Sequence, residues 1–235
     1  GEGLHTRVTT TTSLLRFDEV SLDHIDDGRA KFENLSFVLP PSSCVVLTGA
    51  LGCGKSAALR MIVGMEAPTR GRVSFEEQVV GELEAGALDE VRRRIGYVPE
   101  KGALMSNLTL RENMVLPFRY HNAPTEEEVD ARAAATLELL GLPLLPRVSP
   151  PNAGPGLCRQ VALARALVLR PSVLVLDSPV AGMDHSAAQE LWRTLNRLML
   201  ELPVSIVVAC EFPPQQANLQ HRLIDLGKHG PRSRS

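Results

Sequence analysis

No stretch of this 235-residue chain approaches the roughly 20 uninterrupted apolar residues that a membrane-spanning helix needs. The amino terminus, GEGLHTRVTTTTS, has no apolar core of the signal-peptide kind. Any membrane role is therefore expected to come through a partner. An excess of either charge is also missing: 25 Lys and Arg face 27 Asp and Glu, a formal net charge of -2. That gives no global reason to expect nucleic acid or anionic lipid as a partner. The four cysteines, Cys44, Cys53, Cys158 and Cys210, lack any CxxC or Cys/His ligand spacing. A disulfide framework or thiolate metal site is not expected, and reduced thiols in the cytosol are the plain reading. No internal repeat and no linker divides the chain. With 44% hydrophobic and 22% charged residues it can fill one large core.

The first dozen residues read as a frayed arm. LLRFDEVSL and KFENLSFVL, separated by a polar turn at Asp26-Asp27-Gly28, read as an antiparallel strand pair. Cys44 to Gly49 is a short apolar strand, followed by a helix from Lys55 to about Val63. Gly71 to Val80 and Arg94 to Val98 offer further strands. Thr125 with Glu128 forms a capping box for a helix that Gly141 should stop. Pro143 to Gly156 reads as a loop, and Leu157 opens a helix that ends before Pro171. Ser172 to Asp177 is a strand apolar on both faces, Ser186 to Leu200 a helix, and Pro203 to Ala209 a strand. LIDLG near the end reads as a closing hairpin piece. Alternating strands and helices predict an α/β fold with a mostly parallel sheet covered on both sides.

Gly49-Ala50-Leu51-Gly52-Cys53-Gly54-Lys55-Ser56 fits the phosphate-loop pattern G-x-x-x-x-G-K-S/T, after a strand and before a helix. Glycines there turn backbone N–H groups inward around phosphate oxygens, and the helix terminus adds to that field. Lys55 can reach the β/γ-phosphates and Ser56 can bind Mg²⁺. Asp177, closing the strand VLVLD, is well placed for the magnesium shell. ATP and Mg²⁺ are the cofactors this implies. Trp192 reads as a helix-packing residue. The Cys53 thiol makes oxidation-sensitive nucleotide binding a testable idea.

In these motifs, in QVALARALVLRPSVLVLD (Gln160 to Asp177) and in AGMD (Ala181, Gly182, Met183, Asp184), the chain resembles the ABC transporter ATPase family. AGMD looks like that family's D-loop. The resemblance implies a P-loop NTPase: a RecA-like core, an antiparallel β subdomain, and a helical subdomain inserted at about residues 103–170 of a single 1–235 domain. It also implies a head-to-tail dimer with ATP between the phosphate loop of one subunit and the signature sequence of the other. Transmembrane permease subunits would hold the chain at the cytoplasmic face of the membrane.

Several positions depart from the family pattern. Ser178 stands where a catalytic Glu follows the strand-ending Asp, so a general base is missing. Glu100 stands at the glutamine that opens the lobe-linking loop; it is either a metal-facing oxygen or part of a rewired loop. Cys210 replaces the switch histidine, and Glu211 beside it is a weak substitute base. The signature LSGGQ aligns with Ala153, Gly154, Pro155, Gly156 and Leu157. The hydroxyl is lost there, though Gly156 keeps a backbone N–H and Pro155 suits a first helical turn. Arg159 and Arg165 on that helix could steady its end, but a solvated face is the expected account. His24 falls at the adenine-stacking position, where it either stacks or is inert.

The inference is an ATP-binding subunit with weak or absent hydrolysis, paired with a second copy or with an intact ABC ATPase partner. A catalytically silent structural subunit is the alternative, and a soluble non-transport ABC protein a third. Gly102 to Tyr120 is similar to lipid-exporting, lipoprotein-export and MCE/Mla-type ATPase subunits, which implies a lipid or lipoprotein cargo. Its Met105, Leu108, Leu110, Met114 and Leu116 divide between a helix-receiving groove and core.

Overall fold

The computed structural model describes residues 13–23, 30–120, 124–213 and 220–229. The amino-terminal arm, the turn at Asp26-Asp27-Gly28 and His24 lie outside the described residues. Two sheets form the frame. Strands β1 (Leu15–Asp23), β2 (Ala30–Leu39), β4 (Arg70–Phe75) and β5 (Gln78–Val79) make an antiparallel sheet in the order β2-β1-β4-β5. Strands β3 (Cys44–Thr48), β6 (Ile95–Val98), β7 (Val173–Asp177), β8 (Ser205–Ala209) and β9 (Arg222–Asp225) make a parallel sheet in the order β6-β7-β8-β3-β9.

The apolar runs of β3, β7 and β8 are buried at every position. This is the pattern of a sheet covered on both faces. Alternate residues serve different cores. Val45, Leu47, Val175 and Val207 pack with the antiparallel sheet and helix α1 (Lys55–Ile62). Val46, Leu174, Leu176, Ile206 and Val208 pack with Trp192, Leu195 and Leu198 of helix α6 (His185–Glu201). A third cluster joins helices α3 (Leu110–Val115), α4 (Glu126–Leu140) and α5 (Pro155–Leu167). Helix α2 (Ala85–Arg93) lies between β5 and β6 in the chain.

Local chemistry explains the helix ends. Thr125 and Glu128 close both halves of a capping box on α4, and Gly141 takes the left-handed conformation at its C-terminus. Thr109 and Glu112 do the same for α3, a box the sequence reading passed over. Helix α5 begins two residues earlier than expected, with Pro155 in its first turn, where a missing N–H costs nothing. The run from Gly71 to Val80 divides in two at Glu76 and Glu77, both at positive φ. LIDLG does not close a hairpin. β9 pairs in parallel with β3, Val46 opposite Leu223, and forms an edge of the parallel sheet.

One close approach locks the helical cluster to the sheet. A Cβ on Gly96 of β6 would collide with the Ala166 carbonyl oxygen of α5 and stand 3.0 Å from its carbonyl carbon. Backbone cannot move aside cheaply, so Gly96→Ala is expected to cost about 1–3 kcal/mol by overpacking. In a thermal melt the midpoint should fall by roughly 2–4 °C for each kcal/mol. An unchanged midpoint would show that α5 is not held at this point.

Candidate functional site

The carboxyl ends of β3, β7 and β8 meet at one edge of the parallel sheet, where open α/β sheets place their ligands. β3 leads into the phosphate loop, β7 ends on Asp177, and β8, lying between them, leads to Cys210. The loop has the backbone the motif requires. Gly49, Gly52 and Gly54 sit at φ of 142°, 81° and 99°. Gly54 also lies against Phe32, whose ring atoms would stand 2.8 and 2.9 Å from any Cβ. Only glycine meets both conditions.

Lys55, the first residue of α1, folds back over the loop. Its ammonium donates to the carbonyls of Gly49 at 2.6 Å and Ala50 at 2.9 Å, with the Cys53 sulfur at 3.8 Å. Ser56 Oγ donates to Asp177 Oδ1 at 3.0 Å across 121 residues of sequence. A hydroxyl and a carboxylate brought together beside a glycine loop form an oxygen donor set suited to Mg²⁺, whose remaining positions water and phosphate can fill. Asp177 is 4% exposed, and burial raises its pKa from the ordinary value. The negative charge of Glu100 raises it further, while hydrogen bonds from Ser56 and Ser178 and the charge of Arg60 oppose the shift. Arg60 is itself committed to Glu66, at 2.9 and 2.6 Å.

Ser178 and Cys210, two of the departures from the family pattern, follow directly on the strands that end at this edge. Ser178 holds a left-handed backbone at φ 48°, its N–H donates to Ala209 O at 2.8 Å, and its hydroxyl donates to Asp177 Oδ1 at 3.3 Å. Cys210 is buried, and burial pushes its thiol up to about 11 against the opposing charge of Lys55. The thiol is therefore neutral at physiological pH and a weak donor. Glu100 is exposed on the loop after β6, and Glu211 is exposed beyond β8.

Helix α5 carries the aligned signature residues on its exposed start, with Gly154 as its N-cap and Pro155 and Gly156 in the first turn. Leu157 and Ala153 instead tuck against the helical cluster. Arg159 and Arg165 are not a solvated face. Arg159 donates to Ala181 O at 3.0 Å, and Arg165 donates to Gly102 O at 2.6 Å and Ala103 O at 2.8 Å. Ala181, Gly182, Met183 and Asp184 form the turn into α6, where the Asp184 carboxylate caps the helix by accepting from Ala187 N at 2.9 Å. A cavity of ≈ 550 Å³ lies between this turn, α5, α6 and the loop after β6, touching Asp177 but no phosphate-loop residue. Of the expected apolar groove, Leu110 and Met114 are core, Leu108 and Leu116 half-buried, and Met105 exposed.

No helix among the described residues is long and apolar enough to cross a membrane. Residues 32–181 match the family model described as ABC transporter. The Nod factor export ATP-binding protein I of Burkholderia thailandensis is 33% identical over 197 residues, which cover 84% of this chain and 63% of that protein. The intermembrane phospholipid transport system ATP-binding protein MlaF of Escherichia coli is 28% identical over 188 residues, covering 80% of this chain and 70% of MlaF. The chain thus spans about two thirds of the length of these curated relatives. A dimeric ATP-binding cassette solved in a post-hydrolysis state with ADP and Pi superposes with a TM-score of 0.79. The two are 25% identical, and the superposition covers 90% of this chain and 94% of that one. Phosphate loop, sheet order and family match all lead to one assignment, and the chain belongs to the ABC transporter family of ATP-binding subunits.

Proposed function

We propose that the chain is an ATP-binding subunit of an ABC transporter complex that binds Mg-ATP but hydrolyses it weakly or not at all. One contrast carries this reading. The parts that hold phosphate and metal (Gly49 to Ser56 and Asp177) are complete, whereas Ser178, Glu100 and Cys210 occupy the positions that would fire hydrolysis. The Ser56–Asp177 hydrogen bond supports a metal position in which both oxygens face one cation. Mg²⁺ bound there would neutralise phosphate charge.

Dimerisation with a second ATPase subunit is supported by the dimeric state of the structural neighbour. Docking on permease subunits, which would place the chain at the cytoplasmic face of a membrane, follows from the transport systems its relatives serve. A lipid cargo has the support of MlaF's phospholipid transport and of the resemblance in Gly102 to Tyr120. The test is a Mg-ATP binding titration with phosphate release, on the purified chain alone and with permease partners. Saturable binding without release is the expected result. Turnover in any assembly would sink the silent-subunit reading, and absence of binding would sink the nucleotide reading.

The two readings of Glu100 separate by pH. Holding a dication requires Asp177 to be ionised, so Mg-ATP affinity should fall as pH falls through its raised pKa. Glu100→Gln removes one cause of that rise and should move the fall to lower pH. The charge is exposed and screened, so the gain at the acid end is about twofold to fivefold. A titration series run downward from neutral pH checks this. If Glu100 instead holds the metal directly, Glu100→Gln will weaken binding across the whole range.

A further inference from the structure

The phosphate loop has a basic neighbour outside its own motif. Lys31, the second residue of β2, lies against Gly54, the last glycine before α1. A Cβ on Gly54 would stand 3.4 Å from that of Lys31, and closer still to the ring of Phe32. Phe32 turns into the core and is fully buried, which fixes this end of β2 against the loop. Lys31 is half-buried, and its stem starts where the loop turns into the helix. That stem holds four carbons, and its strongly hydrated ammonium seeks water or an anion. From Gly54 the ammonium can reach the space over the N–H groups that open α1, where the helix field already favours negative charge.

No carboxylate accounts for this charge. Among the described residues Lys31 has no hydrogen-bond or ion-pair partner. Glu33, two residues along β2, faces Arg70 at 3.9 Å. Lys55 and Arg60 are already engaged, the first with the carbonyls of Gly49 and Ala50 and the second with Glu66. Position then decides which end of a polyphosphate Lys31 would meet. Ser56 and Asp177 mark the metal position, and such a metal bridges the β- and γ-phosphates. The charges that act on Asp177 are those of Glu100 and Arg60, and Lys31 is not among them. β2 belongs to the antiparallel sheet, so Lys31 approaches the loop away from that metal position. What remains on its side is the α-phosphate, at the nucleoside end of the cradle.

We propose that Lys31 is a second phosphate-binding cation, which reaches across from β2 to the α-phosphate of a nucleotide held in the phosphate loop. The proposal rests on the nucleotide reading above and deepens it. Two ammoniums then grip one polyphosphate chain, Lys55 at the β/γ end and Lys31 at the α end. The two contacts differ in what they select. Lys55 favours a triphosphate over a diphosphate, because part of its contact is with the γ-phosphate. Lys31 meets a group that ATP and ADP share, so it raises affinity for both and discriminates against neither.

Isothermal titration of the full chain with Mg-ATP and with Mg-ADP tests this. Lys31→Gln is expected to weaken both nucleotides by the same factor, about fivefold to tenfold. That is below the effect of a fully desolvated charge-assisted bond, because the ammonium is partly exposed and screened. Lys31→Arg keeps the charge and should stay within about twofold of wild type. Lys31→Met, which keeps an apolar stem against Gly54, serves if a thermal melt shows Lys31→Gln to be unstable. Salt supplies a readout that a packing role would not move. Between about 0.1 M and 1 M the screening length falls from about 10 Å to 3 Å, and the difference between wild type and Lys31→Gln should shrink with it. Equal losses in Lys31→Arg and Lys31→Gln, unchanged by salt, would make Lys31 a packing residue and overturn the proposal. A loss confined to Mg-ATP would overturn the assignment to the α-phosphate. Wild-type affinity for both nucleotides in Lys31→Gln would overturn the contact and leave the nucleotide reading standing. A wild-type chain that binds neither nucleotide, matching Lys55→Ala, would overturn the nucleotide reading and the Lys31 contact with it.

Discussion

Lys55→Ala is expected to raise the dissociation constant for Mg-ATP by about 100-fold, which at working concentrations reads as loss of saturable binding. The ammonium rests on the carbonyls of Gly49 and Ala50, at the mouth of the loop. From there it can turn to the β/γ-phosphates without unfolding anything. A hydrogen bond to a charged group contributes about 1.5–3 kcal/mol, and each 1.4 kcal/mol is tenfold in affinity. The surroundings make the loss hard to recover. Asp177 and Glu100 bring negative charge to the same edge, and the nearby Arg60 is bound to Glu66. Lys55 also braces the loop, so a purely structural role must be separated from a phosphate contact. Lys55→Arg keeps the charge but brings a planar fork in place of a compact donor, and should recover binding only in part. Isothermal titration of the three proteins decides the matter. An alanine variant that binds within about threefold of wild type, a difference of roughly 0.65 kcal/mol, would remove Lys55 from the phosphate site.

The phosphate loop was legible because its information is local. Eight adjacent residues, Gly49 to Ser56, specify the turn, and Gly49, Gly52 and Gly54 take the positive φ it needs. The strand VLVLD was equally legible, since burial on both faces leaves a continuous apolar run. Contacts that join distant segments left no such trace. Arg165 finds Gly102 at a separation of 63 residues, and nothing in the helix pattern distinguishes an arginine that binds carbonyls from a solvated one. β9 was misread for a related reason. RLID is four residues long, too short for its alternation to say whether its partner is a neighbour in sequence or β3 far upstream. α3 escaped because six residues hold fewer than two helical turns of periodicity. Its Thr109–Glu112 capping box was the readable signal. The apolar set from Met105 to Leu116 mixes core with surface, which composition alone cannot sort.

Restoring a base should produce the largest gain. Ser178→Glu, combined with Glu100→Gln, is expected to raise phosphate release by about 10² or more, within the range a positioned general base supplies. Ser178 donates its hydroxyl proton to Asp177, and a neutral hydroxyl is too weak a base to take one from water. Its backbone already holds φ at 48°, anchored by the bond from its N–H to Ala209 O, so glutamate enters a conformation that a side-chain-bearing residue already occupies. Electrostatics is what makes the second substitution necessary. Glutamate at 178 takes away one of the two hydrogen bonds that oppose the rise in the Asp177 pKa, and it adds a third carboxylate beside Asp177 and Glu100. Like charges crowded together hold one another's protons and weaken a shared metal. Glu100→Gln relieves that crowding, so the double variant should exceed Ser178→Glu alone. Adding Lys55→Ala must abolish the gain if the new activity belongs to this site. Single-turnover phosphate release at saturating Mg-ATP is the measurement, because it separates chemistry from binding. If the double variant binds Mg-ATP and still turns over no faster than wild type, the missing carboxylate is not what silences the chain. The neutral Cys210 thiol between β3 and β7, or an AGPGL end that cannot close a partner's site, would then be the cause.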